Sequence, residues 1–150
     1  MSTVLDQEVQ TIDIHKEIEI AAPIEIAFQA MLDEMGPESM MGDGTPMPMK
    51  LEAWPGGRWF RDLGNNAGHF WGHVQVIKPP SLIEITGPMF MSYPAASHLQ
   101  YRLKANGDTT LLTLTHRAFG FIPAEHREGV NKGWQFKIEQ IRKLAEKRKK

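Results

Sequence analysis

The stretch PAEHREGVNKGWQFKIEQIRKLAEK, residues 123–147, decides the fold. Val130, Trp134, Ile138, Ile141 and Ala145 recur at helical spacing, with Leu144 at one edge of the stripe. The opposite side is Glu, Gln, Lys and Arg. Pro123 suits a first helical position, where its missing N–H has no partner to lose. Glu125 in the first turn and the Lys/Arg tail both complement the helix dipole. A long amphipathic helix needs an apolar surface to cover, and most of the chain before it reads as short strands that supply one.

Working backwards, residues 109–118 and 97–104 form two strands joined by the hairpin signal Asn106-Gly107. Leu99, Tyr101 and Leu103 alternate with His98, Gln100 and Arg102, so the first set faces inward; Leu112, Leu114 and His116 do the same in the next strand. Residues 87–96 are a connection holding Met89 and Met91, preceded by a strand at 82–86. A strand at 69–77 ends at Pro79-Pro80; its aliphatic set, Phe70, Val74 and Val76, is expected inside, opposite Trp71, His73 and Gln75. Further strands are expected at 58–63 and 49–54, around the turn Pro55-Gly56-Gly57. Residues 37–48 are a loop rich in Met, Gly and Pro, with room for a helical turn at 38–41, and apolar enough to fold over something. A helix begins at Pro23 and presents Ile24, Phe28, Met31, Leu32 and Met35 before Gly36-Pro37 stops it. The first strand covers 11–20, with Ile12, Ile14, Ile18 and Ile20 and a bulge or bend expected at His15–Lys16. Residues 1–10 read as a polar leader and 11–150 as one domain, since neither repeat nor linker interrupts them.

Composition narrows the function. At 150 residues, 41% hydrophobic and 23% charged, the chain can bury an ordinary core. A net charge of −1, with one basic cluster at 147–150, argues against nucleic acid or a membrane surface as partner. There is no cysteine, which removes disulfides, thiolate catalysis and Cys-ligated metals and permits a reducing compartment. No apolar run approaches the ~18 residues that would mark a membrane span, and the N-terminus is not a signal peptide, so a cytoplasmic protein is expected.

Specific chemistry is sparse. His69 and His73 would share a helix face, but on a strand they stand ~13 Å apart, too far for one metal. The serines lie in no nucleophile-elbow context, the glycines form no phosphate loop, and no carboxylates pair at a catalytic spacing. No cofactor is expected, and the absence of a catalytic constellation weighs against an enzyme. His116 is either a polar group in an apolar cavity or a core histidine satisfied by its neighbours. The nine methionines crowd the first helix and the loop after it, where they fill core gaps or form an adaptable apolar surface. Gly129 and Gly133 cost the last helix about 1 kcal/mol each, which leaves close approach of a loop or ligand, or a kink, as the reason for them.

The order strand, helix, antiparallel strands, long C-terminal helix, together with several local stretches, resembles the START-like (SRPBCC) superfamily. Ala22-Pro23-Ile24-Glu25 resembles the opening of its first helix, and Gly56-Gly57-Arg58 its glycine pair before the third strand. Gly72-His73-Val74 followed by Pro79-Pro80-Ser81-Leu82, then Leu114-Thr115-His116 and Gly133-Trp134, are similar to further family segments. The branch matched is that of the activator of Hsp90 ATPase, over about residues 12–147. The chain departs from the branch in lacking a tryptophan soon after the first helix, and Phe136 sits off the apolar stripe.

The resemblance implies an α+β helix-grip fold: a curved antiparallel sheet of about seven strands around the last helix, with one or two short helices after strand one and a cavity between. The expected function is binding of an apolar or aromatic small molecule or lipid, with the 40–49 loop as lid. Met40, Met41, Phe60, Phe70, Met89, Tyr101, His116, Trp134 and Ile138 are the candidate lining. The alternatives are a co-chaperone-like protein-binding module, a cyclase-type enzyme, and a homodimer formed through an outer sheet face bearing Trp71 and Trp59.

Overall fold

The computed structural model describes residues 8–149. The chain runs β1 (Gln10–Ile20), α1 (Ile24–Met35), β2 (Lys50–Leu51), β3 (Arg58–Gly64), β4 (Ala67–Lys78), β5 (Leu82–Gly87), β6 (Ala95–Asn106), β7 (Thr109–Gly120) and α2 (Ala124–Arg148). The strands form one antiparallel sheet in the order β1-β7-β6-β5-β4-β3-β2. Every hairpin neighbour in sequence from β2 to β7 is therefore a neighbour in space, and β1 closes the far edge against β7. This is the α+β helix-grip fold, with a single helix after the first strand. Most of the expected leader, residues 1–7, lies outside the described residues; Gln10 already belongs to β1.

The α2 stripe is buried as its periodicity requires: Val130, Trp134, Ile138, Ile141 and Ala145 are its buried residues. They meet Leu99, Tyr101 and Leu103 of β6 and Leu112 and Leu114 of β7 in one core. Pro23 and Pro123 both stand as N-caps in extended geometry, one position earlier than a first helical residue. α1 packs beside α2, with Ala27 and Ala30 fully buried. At the far end, Arg148 reaches Asp33 at 2.7 Å and Glu146 accepts the Ala21 backbone N–H at 2.9 Å.

Four local expectations are corrected. β1 has no bulge: its pairing with β7 runs unbroken from Gln10 to Ile20. The even positions 12 to 20 keep one phase, and Lys16 takes the inward slot by donating to Gln135 on α2 at 3.1 Å. β2 is only two residues long, because Glu52 bends back to bind Arg58 through both carboxylate oxygens, at 2.8 and 2.7 Å. Residues 38–41 form no helix; Met40 bridges to Pro46 in a small hairpin, closed by Met41 N–H to the Thr45 carbonyl at 2.8 Å.

The fourth correction concerns β4. Trp71 is 6% exposed and Phe70 43%, the reverse of the alternation expected. Trp59 pairs with Gly72 and Phe60 with Phe70, so Trp71 is the extra residue of a bulge that re-aims it inward. Gly72 and Gly87 permit this crowding: a side chain on Gly72 would strike the Thr86 carbonyl at 2.6 Å, and one on Gly87 the Trp71 carbonyl at 2.5 Å. Trp59 is likewise buried, and its indole N–H donates to the Met35 carbonyl at 2.6 Å, satisfying an orphan acceptor at the end of α1. The outer sheet face therefore carries neither tryptophan.

Candidate functional site

Histidine 116 is the polar centre of an aromatic cluster. It is fully buried on the inward face of β7. The Trp134 indole N–H lies 2.8 Å from its Nδ1. Indole can only donate, so Nδ1 must be the unprotonated nitrogen. The neutral ring then carries its proton on Nε2, which donates to Ser97 Oγ at 3.0 Å. Burial, and secondly the nearby His126, push its pKa down to about 4. His116 is thus a neutral, doubly satisfied structural residue that fixes the Trp134 ring, centroid 5.3 Å away.

In front of this pair lies Phe90. Met89 adopts a left-handed backbone (φ 57°), and its N–H donates to the Trp71 carbonyl at 2.8 Å. That turn sinks Met89 into the core and presents Phe90 on the other side. Phe90 stacks on His126 at 5.2 Å and meets Trp71 and Trp134 edge-on at 5.6 and 5.8 Å. Such edge-on pairs add roughly 0.5–1.5 kcal/mol beyond area burial.

These rings wall a cavity of about 350 Å³. α2 contributes His126, Gly129, Val130, Gly133, Phe136 and Lys137, all on one side of the helix. Trp71, Phe90 and Trp134 supply the aromatic wall; Met40, Met41, Gly42 and Met47 form the opposite one. At Gly129 and Gly133 nothing lies within 4 Å of where a side chain would begin. The two glycines are exposed and border the cavity, so they leave its mouth clear rather than admit a close neighbour. Phe136, off the core stripe, points to the same space. The size lies at the lower end of small-molecule pockets.

Lys137 anchors the methionine wall. Its Nζ donates to Ser39 Oγ at 2.8 Å and to the Met40 carbonyl at 3.2 Å, and lies 3.2 Å from Glu34 Oε2. Glu34 is buried on α1, next to Tyr101 closely enough to help raise the tyrosine's pKa, after burial itself. Desolvation outweighs the Lys137 charge and pushes Glu34 up to about 7. Its Oε2 makes no hydrogen bond among the described residues, so the contact is an ion pair with poor hydrogen-bond geometry.

Of the residues singled out from the sequence, Met40, Met41 and Trp134 border this cavity. Met89, Tyr101, His116 and Ile138 are buried and do not line it. Phe60 and Phe70 do not border it; they line an open, charged depression of about 690 Å³ at the β3–β4 hairpin, with Lys50, Arg58, Arg61 and Asp62. Sequence reasoning missed Phe90, one residue beyond Met89, and Glu34. The latter had a signal: it stands three and four residues after Met31 and Ala30, on the buried face of α1.

No helix among the described residues is long and apolar enough to cross a membrane. No curated protein matches the sequence. Among solved structures, an uncharacterised protein from Rhizobium leguminosarum superposes with a TM-score of 0.73 at 16% identity, covering 95% of this chain and 99% of that one. CalU16 from Micromonospora echinospora gives a TM-score of 0.62 at 21% identity, over 94% and 87%. The di-domain ARO/CYC protein StfQ of the steffimycin biosynthetic pathway gives 0.64 at 11%, over 92% of this chain and 51% of that one. These likenesses are of fold. The model of the activator of Hsp90 ATPase homolog 1-like proteins matches residues 21–146, nearly the whole described chain, and the protein belongs to that START-like family.

Proposed function

We propose that the protein binds an apolar or aromatic small molecule in the cavity between the N-terminal half of α2, Trp71, Phe90 and the 40–47 hairpin. The observation that carries this reading is the pair Gly129 and Gly133. Each weakens the helix by about 1 kcal/mol relative to alanine, yet each is exposed at the mouth of the cavity with no packed neighbour. A helix that needed only to fill the sheet would gain by having side chains there. The methionines opposite supply a wall that adapts to apolar shapes. A lipid tail would meet the same walls, but the aromatic lining favours a ring. We place the protein in the cytoplasm, in line with its lack of cysteine.

A cyclase-type reaction is the second reading, supported by the fold shared with the ARO/CYC protein StfQ. It would require a group able to move a proton within the cavity, and His126 is the titratable side chain placed there without a charged partner.

Native mass spectrometry of the freshly purified protein, followed by denaturation and analysis of released compounds, tests the binding reading. A stoichiometric aromatic or apolar compound is the expected result, and the same spectrum reads the oligomeric state. A bare mass, with no uptake from a panel of two-ring aromatics, would overturn it.

A further inference from the structure

The cavity is apolar apart from two side chains, and these two differ in what they have left to offer. Lys137 Nζ has three protons and three acceptors already around it: Glu34, Ser39 Oγ and the Met40 carbonyl. Glu34 Oε2 lies 3.2 Å away without hydrogen-bond geometry. Two of its protons are committed to the hairpin, and the Glu34 carboxyl group beside the third disfavours a ligand's carboxylate or phosphate there. His126 is the opposite case. Its Nε2 is buried and has no hydrogen-bond partner among the described residues. Its ring is held by the stack on Phe90 at 5.2 Å and by the edge of Tyr93 at 5.4 Å. Buried polar atoms in folded proteins are nearly always satisfied; this one is closed to water but belongs to a ring that lines the cavity, so a partner reaches it by a small shift of that ring.

We propose that the ligand is an aromatic compound bearing a ring hydroxyl, and that His126 Nε2 is the atom which holds that hydroxyl. This rests on the cavity being a ligand site and goes beyond it by naming the ligand's polar group. A hydroxyl fits better than a carbonyl or an amine. A neutral imidazole nitrogen either donates or accepts according to its tautomer, and a hydroxyl can do the complementary thing in both cases. Burial lowers the His126 pKa, which keeps the ring neutral and removes any pull on an anion. The ring of the ligand then lies against Trp71, Phe90 and Trp134, and the space beside Gly129 and Gly133 admits its edge.

Three matched probes test this by titration calorimetry: 2-naphthol, 2-methylnaphthalene and 2-naphthoate. They share the ring and differ at one substituent. The expected order is naphthol first, by about fivefold over methylnaphthalene, the net worth of one neutral hydrogen bond, with naphthoate weakest. In His126→Phe, which keeps a ring to stack on Phe90, naphthol and methylnaphthalene should bind equally. In the wild type, the His126 Nε2 resonance in a long-range ¹H–¹⁵N spectrum should move with naphthol and stay in place with methylnaphthalene; this readout needs no variant to fold. Equal binding of naphthol and methylnaphthalene by the wild type overturns the hydroxyl assignment and leaves the cavity reading standing. So does a naphthol preference that survives His126→Phe, or naphthoate binding tightest. Failure of all three probes to bind overturns the cavity reading and this inference together.

Discussion

Trp134 and His116 are joined by a hydrogen bond of 2.8 Å whose direction is fixed, because indole donates and cannot accept. This bond decides what His116 does. A histidine that must accept at Nδ1 and donate at Nε2 has no nitrogen left for a ligand.

Replacing His116 with alanine should therefore cost stability, about 3–5 kcal/mol from a cavity plus two stranded polar partners. Urea denaturation followed by tryptophan fluorescence measures the loss. Aromatic ligands should still bind the folded fraction at low temperature. Loss of binding with unchanged stability would make His116 a ligand contact instead.

Substitutions at Gly133 should move two properties in opposite directions, stability with alanine and ligand uptake with leucine. With Gly133→Ala the helix should gain up to about 1 kcal/mol in unfolding free energy, since nothing obstructs the added methyl group. Gly133→Leu should fill the cavity and abolish uptake of two-ring aromatics. If the leucine variant binds as the wild type does, the cavity at α2 is not the binding site.

Lys137→Met should release the 40–47 hairpin. The variant loses two hydrogen bonds to the hairpin and leaves Glu34 buried without its countercharge. Breaking a buried pair from one side costs roughly 3–5 kcal/mol, less here in so far as Glu34 can take up a proton. Limited proteolysis should cut the variant within residues 37–48 faster than the wild type. Adding Glu34→Gln should recover part of the stability, and additive effects would show that the two residues are not coupled.

The pH dependence of stability should carry two opposed signatures. Glu34 is pushed up from 4.5 to about 7, so its contribution is present below pH 4.5 and is lost as pH rises through 7. His116 is pushed down from 6.5 to about 4, so its contribution is present above pH 6.5 and is lost as pH falls through 4. Between about 4.5 and 6.5 the two slopes oppose each other. Above 6.5 the Glu34 slope remains alone. Denaturation midpoints of wild type and Glu34→Gln from pH 5 to 8 should converge or cross as pH rises, with the wild type losing ground. Parallel curves would place Glu34's ionisation outside this window.

Phe70→Ser and Trp71→Ala should behave very differently, although the residues are adjacent. The first removes an exposed ring and should shift stability by well under 1 kcal/mol; the second empties a core site and should cost about 3–5 kcal/mol. Equal costs would contradict the bulge in β4.

The helices and the strand order were legible because their signals are periodic and repeated many times. Val130 to Ala145 can be read from spacing alone, as can the inward sets of β6 and β7. The cavity was less legible, because its walls are built from exceptions to periodicity. Trp71 faces inward through a single inserted residue. Phe90 faces the cavity because Met89 turns left-handed. Phe136 was visible as an off-stripe aromatic, and Gly129 and Gly133 as helix weakeners, but both readings needed the geometry to say which space they border. Lys16 shows the converse: a charged residue on an apolar face reads as a slip in phase, whereas its long side chain simply reaches across to Gln135.

The two open glycines of α2 also bear on how such a pocket can diversify. The first carbon of a side chain added at 129 or 133 meets no atom within 4 Å, so the backbone there need not move to accept one. Each position can take residues of graded size, and most would strengthen the helix while reshaping the chamber. On the proposed reading of the cavity, ligand preference would thereby be separated from folding: sheet and core stay as they are while two adjustable sites on one helix set what fits. Relatives sharing this scaffold at low identity could reach different ligands by changes confined to these two positions, without a destabilised intermediate on the way.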